Sequence, residues 1–299
     1  MNKHPRISIG IPAYNEEANI KQLLLNILNQ HEIGFVLDAV YVISDGNEDR
    51  TASEVRSVND NRVQLHMNES RMGQVYAQNT IFTLANSDIV VILEADTNPQ
   101  DENYLARLIE PIIADSNVGL VQGNTVPLPA HTFLGRSVQE QIEAYCAVSS
   151  KDCDARTRII SGRGGRAFAR YVYKKIVWPD MVPEDAYAFL WCHTNSILTV
   201  FQESAICHFR CPEIFPDFFK ERTKIAAGKK ALEDYFSADE IRRVFSMSHR
   251  MRMRMFAEFF LRHPYYAVYY LLMSVVLAFS QKNKRFSDLW EMTISTKKL

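Results

Sequence analysis

The chain has 299 residues, 47% of them hydrophobic, enough to fill one large α/β domain and leave a tail. Its 34 Lys and Arg nearly balance 35 Asp and Glu, for a net charge of -1, so the chain as a whole is no nucleic-acid or other polyanion binder and any basic patch must be local. Five cysteines (Cys146, Cys153, Cys192, Cys207 and Cys211) form no C-x-x-C pair, which argues against a disulfide framework and for a reducing compartment.

The first 125 residues alternate strand and helix. Ile7–Ile11 is a short β-type run closed by Pro12, with no charged-then-apolar leader before it, so the domain is expected not to be exported. Glu16–Gln30 carries Ile20, Leu23, Leu24, Ile27 and Leu28 at helical spacing, with Asn15 as the predicted N-cap. A second strand, Ala39–Ser44, ends in Asp45-Gly46-Asn47. A helix over Thr51–Val58, a strand over Val63–His66 and a helix over Gln74–Leu84, led by Gly73, follow. Ile89–Leu93 is continuously apolar, as in a strand covered on both faces. Asp101–Ala114 reads as a helix bent or shortened by Pro111, and Val118–Gln122 as a strand. Beyond residue 130 the pattern is looser. Helices are predicted over Leu134–Val148, from Pro183 to Trp191 and over Pro216–Phe236, with strands at Ser196–Val200 and Ser204–His208 and a loop at Ser161–Gly165. This order predicts a mostly parallel sheet with helices on both faces, which binds ligands at the carboxyl ends of its strands.

The polar turns at those ends carry the candidate chemistry. Glu94-Ala95-Asp96 follows the most apolar strand; its carboxylates suit a hard divalent cation, Mg2+ or Mn2+, of the kind a departing diphosphate requires, or else simply cap the next helix. Asp45 is placed to accept hydrogen bonds from a nucleobase or ribose, or to make an ordinary Asp-Gly turn. Glu184-Asp185, two adjacent acids, suit a general base, or a helix N-terminus where acids are favoured anyway. Arg222 and Lys224 are candidates to hold a leaving diphosphate, or belong to a solvated basic helix face. Cys207, His208 and Cys211 lie close enough in sequence to raise a zinc site, but two buried thiols beside a strand is the simpler reading, since a fourth ligand at standard spacing is not evident.

In combination and in order, these segments resemble glycosyltransferase family 2, the inverting enzymes of the Rossmann-like GT-A fold. Ile9-Gly-Ile-Pro-Ala-Tyr-Asn-Glu-Glu17 resembles the family's opening strand and donor-binding turn, and Ser44–Thr51 its second acidic turn. Arg71-Met-Gly-Gln74 through Asn79 resembles the glycine-led helix. Glu94-Ala-Asp96 stands where the family has D-x-D, Glu184-Asp185 where membrane-bound members have their base motif, and Glu221–Gly228 resembles the Q-x-x-R-W segment. The resemblance implies a donor site of Pro12, Tyr14, Asn15, Glu16, Asp45, Gly73, Glu94, Asp96, Arg222 and Lys224, a metal held mainly by Asp96, and Asp185 as base with Glu184 beside it. It implies a nucleotide-sugar donor, with a UDP-sugar favoured, and a glycan or lipid-linked acceptor. Glu94 replaces an Asp, which leaves the metal mainly to Asp96, and Glu221, Lys224 and Ile225 replace the Gln, Arg and Trp. The absent Trp, which the resemblance places at the acceptor site of processive members, argues against processive polymer synthesis.

Residues 1–236 are thus assigned to the GT-A domain and 237–299 to a helical tail. Ile241–Arg262 sets Val244, Met247, Met251, Met255 and Phe259 on one helical face and its arginines largely elsewhere, the pattern of a helix on an anionic membrane surface. Tyr265–Ser280 is free of charge but short for a bilayer span, so an interfacial or re-entrant placement at the cytoplasmic face of a membrane is favoured over a spanning helix or a core or subunit contact. A nicotinamide dehydrogenase shares the sheet pattern, yet its G-x-G-x-x-G turn is replaced by Pro12-Ala-Tyr-Asn-Glu-Glu17. A non-catalytic subunit that keeps the fold and anchors partner subunits remains an alternative.

Overall fold

The computed structural model describes residues 4–152, 164–245, 247–280, 293 and 295–297; for 149–152, 243–245 and 278–280 it describes the backbone alone. An eight-stranded sheet runs in the order β3-β2-β1-β4-β7-β6-β8-β5. Its strands are β1 (Arg6–Ala13), β2 (Val36–Asp45), β3 (Val63–Asn68), β4 (Ile89–Ile92), β5 (Asn98–Pro99), β6 (Val118–Pro127), β7 (Arg166–Ala169) and β8 (Leu198–Phe209). β1 pairs in parallel with β2 and β4, β2 with β3 and β6 with β8, whereas β7 runs against both β4 and β6. The chain winds outward from β1 through β2 to β3 and then returns to the other side of β1 for β4. That reversal opens a crevice at the carboxyl ends of β1 and β4.

Alternation along the strands feeds two cores. Ile7, Ile9 and Ile11 of β1, Val40 and Val42 of β2 and Val91 of β4 pack with Leu23, Leu24 and Ile27 of α1 (Ile20–Leu28) and Leu105, Leu108 and Ile109 of α4 (Tyr104–Ala114). On the opposite face, Tyr41, Ile43, Val90, Ile92 and Phe168 pack with Val75, Ile81 and Phe82 of α3 (Gln74–Leu84) and with Trp178, Tyr187 and Leu190. Gly10 lets α3 lie close on β1: a Cβ there would stand 2.4 Å from Ile81 Cγ2.

The remaining helices are α2 (Thr51–Arg56), α5 (Phe133–Asp152), α6 (Arg170–Tyr173), α7 (Glu184–Thr194), α8 (Phe215–Ala231), α9 (Ala238–Phe245), α10 (His249–Arg262) and α11 (Pro264–Ser280). Several expected boundaries shift for local reasons. α1 starts at Ile20 after Asn19, not after Asn15, whose backbone is left-handed (φ 51°) and whose side chain accepts from Glu48 N instead. α4 continues past Pro111 to Ala114, the proline lying in its last turn. The two strands expected between Ser196 and His208 are one, β8, irregular where Gly123–Asn124 of β6 pairs with Gln202 and Ile206. The expected helix over Ile241–Arg262 is two, because Ser248 caps α10 by accepting from Met251 N at 3.1 Å. α10 and α11 pack against each other and against α5. Ser137 Oγ donates to Tyr266 O, and Tyr270 lies edge-on to Phe218 of α8. Among the described residues, no helix is long and apolar enough to cross a membrane.

Candidate active site

The crevice between β1 and β4 is an open cleft with a cavity of about 210 Å³. Its lining includes the strand ends: Pro12 and Ala13 closing β1 with Tyr14 and Glu16 after it, Asp45 closing β2, and Glu94, Ala95 and Asp96 after β4. Arg71, Gly73, Gln74 and Ala77 form one side, at the start of α3. Lys220, Glu221 and Lys224 of α8 face them, and Thr293 and Lys297 complete the lining.

Each wall has a local cause. Asp45 is 4% exposed and accepts three hydrogen bonds, from Asn68 Nδ2 (2.8 Å), Met72 N (2.7 Å) and Gly73 N (2.8 Å). It pins the loop before α3, which spends most of the capacity expected to serve a nucleobase or ribose. Gly73 sits at φ 95°, ψ 165°, a region essentially confined to glycine, and so turns the chain sharply into α3 at the cleft rim. Tyr14 presents its ring to Arg71, whose guanidinium carbon lies 3.9 Å from the ring centroid. The β1 turn is tied to the β2 turn: Asn15 N donates to Asn47 Oδ1 (2.6 Å), and Glu16 N to Thr51 Oγ1 (2.7 Å). Glu94 and Asp96 are half-buried at the end of β4, with Thr97 Oγ1 donating to Glu94 O (2.8 Å).

Glu184 and Asp185 open α7, which is locked to α3. Asn79 Nδ2 donates to Trp178 O (2.9 Å), Trp178 N to Asn79 Oδ1 (3.1 Å), and Trp178 Nε1 to Glu184 O (2.8 Å). Asp185 Oδ1 accepts from Ala186 N at 2.7 Å. Glu184 is buried beside Arg166, with Oε1 3.8 Å from Nη2. Burial, and then the charge of Asp185, push the Glu184 carboxyl above its ordinary range; the cations Arg166 and Lys224 act in the opposite direction. Lys224 therefore links the acidic pair to the cleft, although Glu184 and Asp185 do not themselves line it.

Of the residues expected at the donor site, Pro12, Tyr14, Glu16, Asp45, Gly73, Glu94, Asp96 and Lys224 share the cleft. Asn15 supports the floor from outside. Arg222, expected at the donor site, is not part of the cleft lining: it is bonded to Gln141 Oε1 of α5 (3.3 Å) and lies over the rings of Phe218 and Tyr270, because two helical positions rotate it about 200° from Lys220 and Lys224. The second cation is Lys220, one turn before Lys224, which helical spacing would have found. Arg166 went unread because four residues of β7 carry no periodicity. Cys207 is fully buried with its thiol pushed up to about 12, and His208, the next strand residue, bonds Val126 O at 3.3 Å on the other face. Cys207 and His208 thus point to opposite faces of β8, as alternation along a strand requires.

The strand-end acids, a glycine-led helix and a basic helix line one cleft at the switch point of a GT-A sheet. Residues 8–176 match the glycosyl transferase family 2 model, and the chain belongs to that family. A Bacillus subtilis (strain 168) protein, "Probable glycosyltransferase YdaM", is 25% identical over 264 residues, 83% of this chain and 62% of its own length. The undecaprenyl-phosphate 4-deoxy-4-formamido-L-arabinose transferase of Proteus mirabilis (strain HI4320) is 33% identical over 111 residues, 35% of this chain and 32% of that one. The chain thus spans less than two thirds of the length of either relative. Among solved structures, the mannosyltransferase PcManGT of Pyrobaculum calidifontis, in complex with GDP-Man and Mn2+, has a TM-score of 0.60 at 20% identity, covering 92% of this chain and 79% of that one. Glucosyl-3-phosphoglycerate synthase of Mycobacterium tuberculosis, with Mn2+, UDP and phosphoglyceric acid, has a TM-score of 0.55 at 17% identity, covering 82% and 80%. Both share the fold.

Proposed function

We propose that this chain transfers a sugar, with inversion, from a nucleoside-diphosphate donor, a UDP-sugar foremost, to a hydroxyl of a glycan or lipid-linked acceptor at the cytoplasmic face of a membrane. The observation that carries the reading is the cleft itself: acids at three strand ends face Lys220 and Lys224 across a gap at the switch point of a family 2 sheet. Asp96, with Glu94 beside it, offers the oxygen ligands a hard divalent cation prefers, and the donor phosphates would complete the shell. Mg2+ or Mn2+ bound there supplies neutralisation of diphosphate charge.

The chain's own groups do the rest. Tyr14, Glu16 and the loop pinned by Asp45 seat the nucleotide. Asp185, held at the start of α7 by the Asn79–Trp178 clamp, takes the acceptor proton, and the freed oxygen attacks the anomeric carbon opposite the leaving group. Lys220 and Lys224 receive the charge of the departing diphosphate, the role expected of Arg222 or Lys224. Buried Arg166, 3.8 Å from Glu184, partly offsets the burial and the Asp185 charge that raise the Glu184 carboxyl. The donor relatives' names support the nucleotide chemistry: a GDP-sugar in one fold neighbour and UDP in another, each with Mn2+. The lipid-linked acceptor draws on the undecaprenyl-phosphate relative and on the exposed apolar and arginine-bearing surfaces of α10 and α11.

The test is release of nucleoside diphosphate from a panel of sugar nucleotides by the full chain, with Mn2+ or with EDTA. Turnover with metal, lost in EDTA and in Asp96→Ala, is the expected result; full turnover in EDTA removes the metal from the proposal. No hydrolysis or transfer from any donor, with nucleotide still bound, supports instead a non-catalytic subunit, the alternative raised by Glu94 and by Glu221 and Ile225.

A further inference from the structure

Residues 295–297 bridge the two sides of the cleft. At one end Ser295 N and Oγ both donate to Asp217 Oδ2 (2.7 Å each) at the start of α8, and Glu213 N donates to Ser295 Oγ (3.1 Å). Thr296 is 1% exposed. At the other end Asn19 Nδ2 donates to Lys297 O (2.7 Å), while Lys297 Nζ pairs with Glu16 and donates to Tyr14 O (3.3 Å). A cation is thereby set into the cleft at the β1 turn, in the same lining as Lys220 and Lys224 of α8.

Two features bear on what it does there. Glu16 is 4% exposed, so an unpaired carboxylate at that point would oppose an entering polyphosphate; Lys297 cancels it. The cavity of about 210 Å³ remains with Lys297 in place, so the side chain is a wall and not a plug. Resting on the nucleotide-sugar reading above, we infer that Lys297 is a donor-diphosphate contact: its ammonium, parked on Glu16 and Tyr14 O, turns to a phosphate oxygen when a nucleoside diphosphate enters, making residues 295–297 a third wall of the donor site. An ammonium carries three donors, so it can keep Glu16 while it takes up a phosphate.

The experiment is calorimetric binding of UDP, GDP, ADP and CDP, each with Mn2+, to the full chain, using the tightest of the four and its matching nucleoside for the variants. Lys297→Ala and Lys297→Gln should weaken the diphosphate by about 10-fold or more, the loss expected of one charge-assisted hydrogen bond, and leave the nucleoside within about 3-fold. Lys297→Arg should retain most of the affinity. Because either neutral variant strands Glu16, Glu16→Gln and the double variant Glu16→Gln/Lys297→Gln close the cycle; the double variant should stay weak relative to Glu16→Gln. Recovery in the double variant would mean that Lys297 merely offsets Glu16. Tighter diphosphate binding by Lys297→Ala would make it a competitor, and equal losses for diphosphate and nucleoside would make it structural; each overturns the inference. A wild-type chain that holds none of the four overturns the functional reading too, whereas binding abolished by Asp96→Ala but untouched by Lys297→Ala overturns the inference alone.

Discussion

Side chains at the cleft divide into those that meet a ligand and those that hold the ones that do, and the two kinds answer differently to substitution. Asp185→Asn keeps size and hydrogen bonding but cannot take a proton; turnover should fall by about 10²-fold or more while nucleotide affinity is unchanged, and near-normal turnover would move the base to Glu184. Burial draws the Lys297 ammonium down to about 8, so its charge is present below that pH and lost above it. The unfolded chain, near the ordinary 10.5, holds that proton more tightly, so the empty protein should gain stability from this group as pH rises from 8 towards 10.5. Diphosphate affinity should move the other way, falling by about 10-fold between pH 7 and 9 in the wild type and staying nearly flat in Lys297→Arg, whose guanidinium does not titrate there. Around Lys297 stand Glu16 and Tyr14 O from the β1 turn, Asn19 before α1, and Lys220, Glu221 and Lys224 across the cleft from α8, so the Lys297→Arg comparison isolates the lysine from its neighbours. Asp96, Asp45 and Lys224 were legible as cleft residues because each closes an apolar strand or sits in a collinear motif. Lys297 was not, since its partners are 281 and 283 residues away and no local pattern encodes that contact.

At the scale of elements, what the sequence discloses is periodicity, and what it hides is where one element docks on another. The α3 bounds, Gln74–Leu84, agree with the sequence reading because Gly73 opens the helix, and the β1, β2 and β4 runs are apolar enough to be seen. β7 and β5, of four and two residues, are strands only because their neighbours are, and the antiparallel insertion of β7 between β4 and β6 follows from tertiary pairing. The α3–α7 lock is of the same kind. Asn79 makes both its bonds to the backbone of Trp178, which is 1% exposed and holds the first turn of α7 through Glu184 O. Asn79→Ala should cost about 1–3 kcal/mol, as buried backbone groups lose their partners, and should lower turnover more than nucleotide affinity because Asp185 loses its fixed approach. Equal falls in both, measured by urea unfolding alongside steady-state kinetics, would assign the clamp to the whole cleft. Gly73→Ala should strain the turn by about 1–3 kcal/mol and loosen the loop that Asp45 holds, with weaker nucleotide binding as its main effect.

The molecule as a whole has a polar cleft at one place and an apolar surface at another. On α11, Tyr265, Val268, Leu272 and Val276 recur at helical spacing and are 46–82% exposed, while Ala267 and Leu277 turn inward. On α10 the apolar face expected to meet the membrane is turned inward at Met251 and Phe259, where the helix packs on α5 and α11. Its exposed apolar residues are instead Phe256, Phe260 and Leu261, with Arg250, Arg252 and Arg254 exposed nearby. A 17-residue helix is about 25 Å long, short of the ~30 Å hydrocarbon core, so the proposed placement is along the interface: apolar side chains among the acyl chains and arginines at the headgroups. α10 and α11 pack on α5, and Tyr270 of α11 on Phe218 of α8, so in the proposed placement a bilayer under them would hold the basic helix of the cleft at a fixed height above the acceptor's lipid. The full chain should therefore float with vesicles containing about 30% anionic lipid and bind zwitterionic ones more weakly, with binding reduced by salt because arginine attraction is screened. Leu272→Glu/Val276→Glu places two charges on an already exposed face; it should leave the fold and nucleotide binding intact and abolish flotation. A chain that stays unbound to anionic vesicles removes the membrane from the proposal, and one that resists both high salt and alkaline carbonate is embedded more deeply than an interfacial helix allows. A variant that loses flotation but keeps full activity on a lipid-linked acceptor would show that the acceptor reaches the cleft without the anchor, and would separate the membrane face from catalysis.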